Sequence, residues 1–473
     1  MCEAGKRRRH TQTEQNEGNN DMQIIVVGCG KVGRTLVSQL SKENNNVTVI
    51  DTDAQIVRDV STLYDVMGVI GNGTSYNVLC EAGIEKADIV IAVTQSDEVN
   101  LLTCVMARRR TKCQTIARVR NPIYSAERHF IRDELGLSMT INPEYRAAKE
   151  MARLMQFPNA IEVDSFANDR IDLLRFKVPE DSMLVGISLK QATQKIGRDV
   201  LVCIAERGKE ITIPNGDYIV ENGDIITVIL QPGQAKKFFN TIGVRMNKVK
   251  NAMIVGGGEI SYYLIKMLLE MGIDVKVIDQ NPKRCEELND FFPAATVDCA
   301  DGTDQTVLAE EHIENMDAFV ACTGMDEVNA ILALYAQERV KQKTIAKLNH
   351  VDFVDVIDKL QLDSVVNPKL LTTQKILQFV RATGNSMDSN VETLYRLMNG
   401  QVEALAFNIQ TSSTITGIRL QDMKLKDSIL IAGILRDDKL IIPGGQDQFL
   451  EGDTVIVITT HLGFGDIYDI LKD

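Results

Sequence analysis

From Met22 onward the chain alternates short apolar runs with amphipathic stretches. IIVVG is followed by a glycine turn and the amphipathic KVGRTLVSQL, and the alternation continues through NVTVID, DVMGVIG, ADIVIAVT and TIARVR. Short aliphatic runs separated by helical segments are the signature of buried parallel strands joined by right-handed crossovers. The expected unit is α/β, a Rossmann-like doubly wound parallel sheet.

The pattern then changes. Residues 172–230, DLLRFKVPEDSMLVG through ENGDIITVIL, carry short alternating strands with turns at ERGKE, PNGDY and ENGD. That composition predicts a small α+β module rich in strands.

Both patterns recur. Gly28 and Gly256, and the strand-ending Asp51 and Asp279, are each 228 residues apart (256 − 28 and 279 − 51). GNGT answers DGT with a shift of one, TIARVR answers TIAKLN, and two Asn-Pro helix starts, TINPEYRAAKEMARLM and VVNPKLLTTQKILQFV, correspond. Gly186 pairs with Gly417, Pro214 with Pro443, and Gly223-Asp224 with Gly452-Asp453. The expected order is therefore a first nucleotide-binding domain at 22–145, a small module at 146–235, a linker at 236–250, a second Rossmann-like domain at 251–370, and a helical connection with a second small module at 371–473. Residues 1–21 read as a disordered leader or as a misassigned start with translation beginning at Met22. A nucleic-acid-binding basic tail is the functional alternative for that segment.

Composition narrows the setting. Aromatics are only 5% and Trp is absent, a balance suited to Val/Ile-rich strands. No apolar run reaches the roughly 18–20 residues a bilayer requires, so direct membrane insertion is not expected. The net charge of −13 disfavours nucleic acid and anionic membrane surfaces. The nine cysteines lack zinc-like spacing and read as reduced thiols.

In VVGCGKVG, Gly28, Gly30 and Gly33 lie between a strand and a helix, and Asp51 ends the next strand. Such a turn brings a pyrophosphate onto free amides at a helix N-terminus, while the acid receives ribose hydroxyls and repels a 2′-phosphate, favouring NAD(H) over NADP(H). Thr94 lies at the carboxyl end of the fourth strand, where the ligand crevice of such sheets opens, and Arg118 is placed to reach a phosphate or to stand as an exposed strand-end charge. Lys31 does not belong to a P-loop, because Val32 follows it where Ser or Thr would hold magnesium. Cys29 is a buried thiol or a redox sensor. The second turn keeps Gly256 and Gly258 but has Ser261 at the third position and Glu259 beside the anion site, so its pyrophosphate site reads as degraded, with Asp279 retained for adenosine.

No chemistry accompanies these turns. His10, His129, His312, His350 and His461 are not shared between the repeats, and the small modules hold no Ser/His/Asp, Cys/His or metal-ligand grouping. Binding without turnover is the expectation, with no metal.

The A-B-A′-B′ plan, VVGCGKVG, Asp51, GNGT, VTQSDEVN and IARVR together resemble the TrkA family of Trk-type potassium uptake systems, from Met22 to the C-terminus. The resemblance implies two tandem regulator-of-potassium-conductance (RCK) units, each a TrkA-N and a TrkA-C module. It implies a regulatory subunit, not an enzyme, that is cytoplasmic and peripheral at the inner or plasma membrane. The implied partners are a TrkH/TrkG-like integral membrane potassium-translocating subunit and further copies of this chain, in a homo-oligomeric ring expected to be a tetramer. The implied nucleotide positions are Gly28, Cys29, Gly30, Lys31, Val32, Asp51, Thr94, Gln95 and Arg118 in the first copy. In the second they are Gly256, Gly257, Gly258, Glu259, Ile260, Asp279, Thr323 and Gly324, with Lys347 in place of the arginine. NAD(H) is the implied cofactor, and ADP or ATP the alternative occupant of either copy. The helices beginning near Val99 and Val328 are expected to make ring contacts or intradomain core. An NAD-dependent oxidoreductase, or a regulator of another cation channel or antiporter, remains the competing reading.

Overall fold

Two six-stranded parallel sheets form from the strand and helix alternation, and both have the same strand order. In a computed structural model that describes residues 22–43, 45–166, 170–197, 199–244, 247–349, 361–385, 391–398, 401–410, 415–437 and 439–472, the segment 1–21 lies outside the described residues. The first sheet contains β1 (Gln23–Val27), β2 (Asn46–Asp51), β3 (Met67–Ile70), β4 (Ile89–Ala92), β5 (Gln114–Arg118) and β6 (Met139–Ile141), ordered β3-β2-β1-β4-β5-β6. The order reverses between β1 and β4, which opens a crevice at the carboxyl ends of those strands.

The first small module follows as β7 (Glu162–Phe166), β8 (Ile171–Lys177), β9 (Val200–Arg207), β10 (Glu210–Thr212) and β11 (Ile225–Leu230), an antiparallel sheet ordered β10-β9-β11-β8-β7. The plan then repeats. The second parallel sheet takes β12 (Asn251–Val255), β13 (Asp274–Asp279), β14 (Thr296–Cys299), β15 (Ala318–Ala321), β16 (Lys343–Lys347) and β17 (Ser364–Val366), ordered β14-β13-β12-β15-β16-β17. The second antiparallel sheet takes β18 (Val391–Leu397), β19 (Val402–Asn408), β20 (Ile429–Arg436), β21 (Lys439–Ile441) and β22 (Thr454–Thr459), ordered β18-β19-β22-β20-β21.

The halves exchange helices. Each Asn-Pro start opens a helix, Pro143–Gln156 or Pro368–Asn385, and Asn142 caps the first through the amide of Tyr145 at 2.8 Å. Helix Pro143–Gln156 buries Ala147, Met151 and Met155 in one core with Ile260, Leu264 and Leu268 of the second half. Helix Pro368–Asn385 returns the contact, placing Ile376, Leu377 and Val380 among Leu36, Val37 and Leu40 of the first. Arg381 and Glu43 close that seam as a bidentate ion pair. The small modules also share a core, with Ile171, Leu173 and Cys203 against Val402, Ala432 and Ile456.

The stretch 236–250, expected as a linker, is corrected in part: Ala235–Thr241 is a helix. Its Phe238 and Phe239 rings lie 5.6 and 5.0 Å from Phe176, so their burial draws this segment into the first small module.

Gly223-Asp224 and Gly452-Asp453, which mark the same turn in both small modules, share a physical task. The buried Asp224 carboxylate takes the guanidinium of Arg207 at 2.8 Å on each oxygen, together with the Tyr218 hydroxyl and the Glu221 amide. Asp453 holds Arg436 and the Leu450 amide the same way. Burial raises the Asp224 carboxyl, but the Arg207, Glu221 and Tyr218 hydrogen bonds outweigh it and leave the group below the usual carboxylate range. A lowered folded value stabilises the module above the unfolded carboxyl's titration near pH ~4, and this stability is lost as pH falls through the folded value. Asp224→Ala is expected to remove roughly 2–4 kcal/mol from this module. Its urea midpoint at neutral pH should fall below that of the parent chain, and an unchanged midpoint would remove the clasp from the stability of the fold.

Candidate functional site

The first glycine turn sits at the reversal between β1 and β4. Gly28 takes a φ of 97°, and a Cβ there would meet the Thr94 amide at 2.8 Å. Only glycine suits both conditions. Gly30 is the N-cap of the helix Lys31–Leu40, with no side-chain cap, and a Cβ on it would meet nothing within 4 Å. Open space therefore lies over the helix N-terminus, where the first-turn amides of Lys31 and the buried Val32 have no intrahelical acceptor. Gly33 is the tight position, since a Cβ there would lie 1.9 Å from the Gly28 carbonyl oxygen.

Asp51 ties the glycine turn to the end of β2. Its Oδ2 accepts the Cys29 amide at 2.7 Å and its Oδ1 accepts the Asp53 amide at 3.0 Å, leaving further lone pairs for hydroxyl donors. Cys29 is fully buried, and burial, with the charge of Asp51 beside it, pushes its thiol up to about 12 against the pull of Arg34. That thiol is a packing group, not an activated sensor.

Across the crevice, Thr94 donates its amide and hydroxyl to Asn100, whose amide group donates to the carbonyls of Thr94 and Arg118. Asn100 is a structural residue of the site that the sequence reading missed. The signal was present, because DEVN stands in both repeats and Asn329 makes the same four bonds to Thr323 and Lys347. Gln95 is exposed, and its carbonyl receives Arg120. Arg118 pairs with Glu144 at 2.9 Å instead of standing free at the strand end. Its Nε and the Glu144 Oε2 are nonetheless buried without a hydrogen-bond partner among the described residues.

The second turn repeats the first closely. Gly256 has a φ of 100°, and Gly258 caps its helix at φ −65° and ψ −170°, against −66° and −165° at Gly30. Gly257 donates to Asp279 at 2.6 Å, as Cys29 does to Asp51. Ser261, read from the sequence as degrading the site, donates its hydroxyl to the Gly256 carbonyl at 2.5 Å and leaves the turn in the same conformation. Gly324 has open space around its Cβ position, and Ile260 is buried and offers only backbone. Lys347 is spent on the Thr323 carbonyl. Arg284 was missed: it donates to the Gly257 carbonyl at 2.6 Å, where the first half has Ile56.

Glu259 opens the helix after the Gly258 cap and also feels charge from the first half. It lies among Glu144, Arg120, Arg118 and Asp97 of the first half, and partial burial and Glu144 raise its carboxyl while Arg120 and Arg118 lower it. Tyr263, one turn on, donates to the Arg120 carbonyl at 2.7 Å and accepts from Asn142 at 3.0 Å. Through Tyr263, the helix of the second cradle thus contacts the segments that follow β5 and β6 of the first sheet.

Comparison with known proteins follows this duplication. The TrkA-N domain family matches residues 24–143 and 252–368, and the TrkA-C domain family matches 173–243 and 405–472. The chain is 32% identical over 441 residues to the Trk system potassium uptake protein TrkA of Haemophilus influenzae, covering 92% of this chain and 95% of that one. It is 31% identical over 445 residues to the protein of that name from Vibrio alginolyticus, covering 93% and 96%. Among solved structures, the GsuK RCK domain aligns with a TM-score of 0.61 at 16% identity over 93% of this chain and 92% of that one. The GsuK channel bound to NAD aligns with the same score and identity over 93% and 77%. These two share the fold. With the duplicated cradles and duplicated small modules both accounted for, the chain belongs to the TrkA family of Trk system potassium uptake proteins.

Proposed function

We propose that this chain is a nucleotide-binding regulatory subunit that gates a membrane potassium-translocating subunit from the cytoplasmic face. The observation that carries this reading is the hydrogen bonding of Tyr263, on the helix of the second glycine turn, to the Arg120 carbonyl and Asn142 just past the strand ends of the first sheet, which supports a packed seam between the two cradles. A ligand held in one cradle then bears directly on the arrangement of the halves.

In the first cradle, the residues fit a dinucleotide. Asp51 would receive the adenosine ribose, the first-turn amides of Lys31 and Val32 would face the pyrophosphate over the open Gly30, and the exposed Lys31 would add positive charge. Thr94 and Gln95 would border the remainder, with Arg118 released from Glu144 to meet charge. The carboxylate at Asp51 favours NAD(H) over its 2′-phosphorylated form. ADP or ATP, with the same ribose and phosphates, is the alternative occupant. The second cradle would take an adenine nucleotide as well, a reading favoured by the matching backbone of Gly256 and Gly258 and by Asp279. The bound nucleotide supplies no chemistry here, and its role is differential binding to two arrangements of the assembly.

No described helix is long and apolar enough to cross a membrane. The helices Asp97–Arg110 and Asp326–Gln337 expose Leu102 at 50% and Ile331 at 66%, which supports their use as contacts in a ring of such chains, a tetramer in our reading. The test is rubidium or potassium uptake into vesicles holding the cognate membrane subunit, with this chain and NAD, NADH, ADP or ATP. A chain-dependent flux differing at least about fivefold between two nucleotides is expected, the lower end of ordinary coupling. Flux indifferent to the chain, or equal under all four nucleotides, would overturn the proposal.

A further inference from the structure

Asp279 is bordered by two thiols. Cys299 is its ladder partner at the end of β14, and the Cys285 Sγ, on the helix Pro282–Phe291, lies 3.3 Å from the Asp279 carbonyl oxygen and 4.0 Å from that of Asp298. Both thiols therefore flank the same residue, Cys299 across the strand ladder and Cys285 from the helix above it. Cys299 is exposed and Cys285 is 5% exposed, so one sulfur meets solvent and the other waits behind it.

The first half shows that the fold does not need sulfur here. The corresponding residues are Val57, and Ile70 as the ladder partner of Asp51. The pair Cys104 and Cys113 makes a contrast, because both are buried, at 0% and 6%, with no thiol open to a reagent.

We propose that Cys285 and Cys299 are a reversible dithiol–disulfide site that reacts with low-molecular-weight disulfides of the glutathione type. The Cys299 thiolate attacks one sulfur of RS–SR, forming a mixed disulfide and releasing RS⁻. Cys285 then loses its proton to solvent and attacks the Cys299 sulfur, forming the Cys285–Cys299 bond and releasing the second RS⁻. Two protein thiols are oxidised by two electrons with loss of two protons, and one reagent disulfide is reduced to two thiols. Burial, Cys299 and Asp279 hold the Cys285 thiol up at about 11, which keeps it protonated and leaves the first attack to the exposed Cys299. Closing the bond also withdraws the S–H donor from the Asp279 carbonyl, leaving it the Ala300 amide at 3.1 Å. The site does not depend on nucleotide binding.

The full chain is incubated in a glutathione redox series near pH 8, then quenched, alkylated and mapped by mass spectrometry. The expected product is a linked Cys285–Cys299 peptide, lighter by two hydrogens, at least tenfold over any glutathione adduct and reversed by dithiothreitol. In Cys285→Ser the adduct on Cys299 should accumulate instead. The paired variant Cys285→Val with Cys299→Ile copies the first half; it should keep the parent melting profile and form neither species. A stable adduct on Cys299 in the parent chain, a link only to other cysteines or between chains, or both thiols fully alkylated in the most oxidising buffer would overturn the proposal.

Discussion

Asp51→Ala is expected to weaken NAD binding at the first cradle by about 100-fold or more. The carboxylate has two roles, and alanine ends both. It receives the amides of Cys29 and Asp53, which fixes the turn against the end of β2. In the proposed complex its remaining lone pairs would receive the ribose hydroxyls, and hydrogen bonds to a charged group are worth roughly 1.5–3 kcal/mol each, so losing two amounts to about 3–6 kcal/mol before reorganisation. Calorimetric titration with NAD, NADH, ADP and ATP reads the loss directly. Asp51→Asn separates the roles: its side-chain oxygen still accepts one amide, but the charge is gone, and an intermediate affinity is expected. Asp279→Ala is the companion variant, because it leaves the first cradle intact. Nucleotide affinity unchanged in Asp51→Ala, with full binding in the parent, would remove the first cradle from the mechanism.

The two cradles explain why so much was legible in the sequence. A glycine that must adopt a φ near 100°, or that must let a helix approach a carbonyl, excludes other side chains, so Gly28 and Gly33 announce their geometry. Strand-ending acids and Asn-Pro helix starts carry similar local constraints, and the repeat doubled every signal. What stayed hidden was decided between segments distant in sequence. Glu259 begins the helix of its own turn, as local reasoning has it, but the packing of the two halves also brings the charges of Glu144, Arg120 and Arg118 to bear on it. Arg118 was left open between a ligand contact and an exposed charge, while packing gave it Glu144 from the helix after β6. The thiols beside Asp279 look scattered because 14 residues separate 285 from 299, and it takes both the ladder between β13 and β14 and the packing of the helix Pro282–Phe291 to bring them to one residue.

Ser261 bears on the second large effect, since it occupies in one half the position that is glycine in the other. Gly33→Val is expected to lower nucleotide affinity at the first cradle at least about 30-fold and to destabilise the first sheet by roughly 3 kcal/mol, the upper part of the overpacking range. The added Cβ would lie 1.9 Å from a backbone oxygen and 3.0 Å from its carbon, and backbone cannot rotate aside as a side chain can. The helix Lys31–Leu40 must therefore move off Gly28, carrying the first-turn amides away from the phosphate position. Gly33→Ser meets the same Cβ contact but brings a hydroxyl able to bond the Gly28 oxygen, as Ser261 bonds Gly256 while its turn keeps the glycine-like dihedrals. Serine should therefore retain more affinity and a higher first unfolding transition than valine, both read by calorimetry on the full chain. If serine and valine are equally damaging, the hydroxyl is not what preserves the second turn, and Asp279 together with Arg284 must hold it instead.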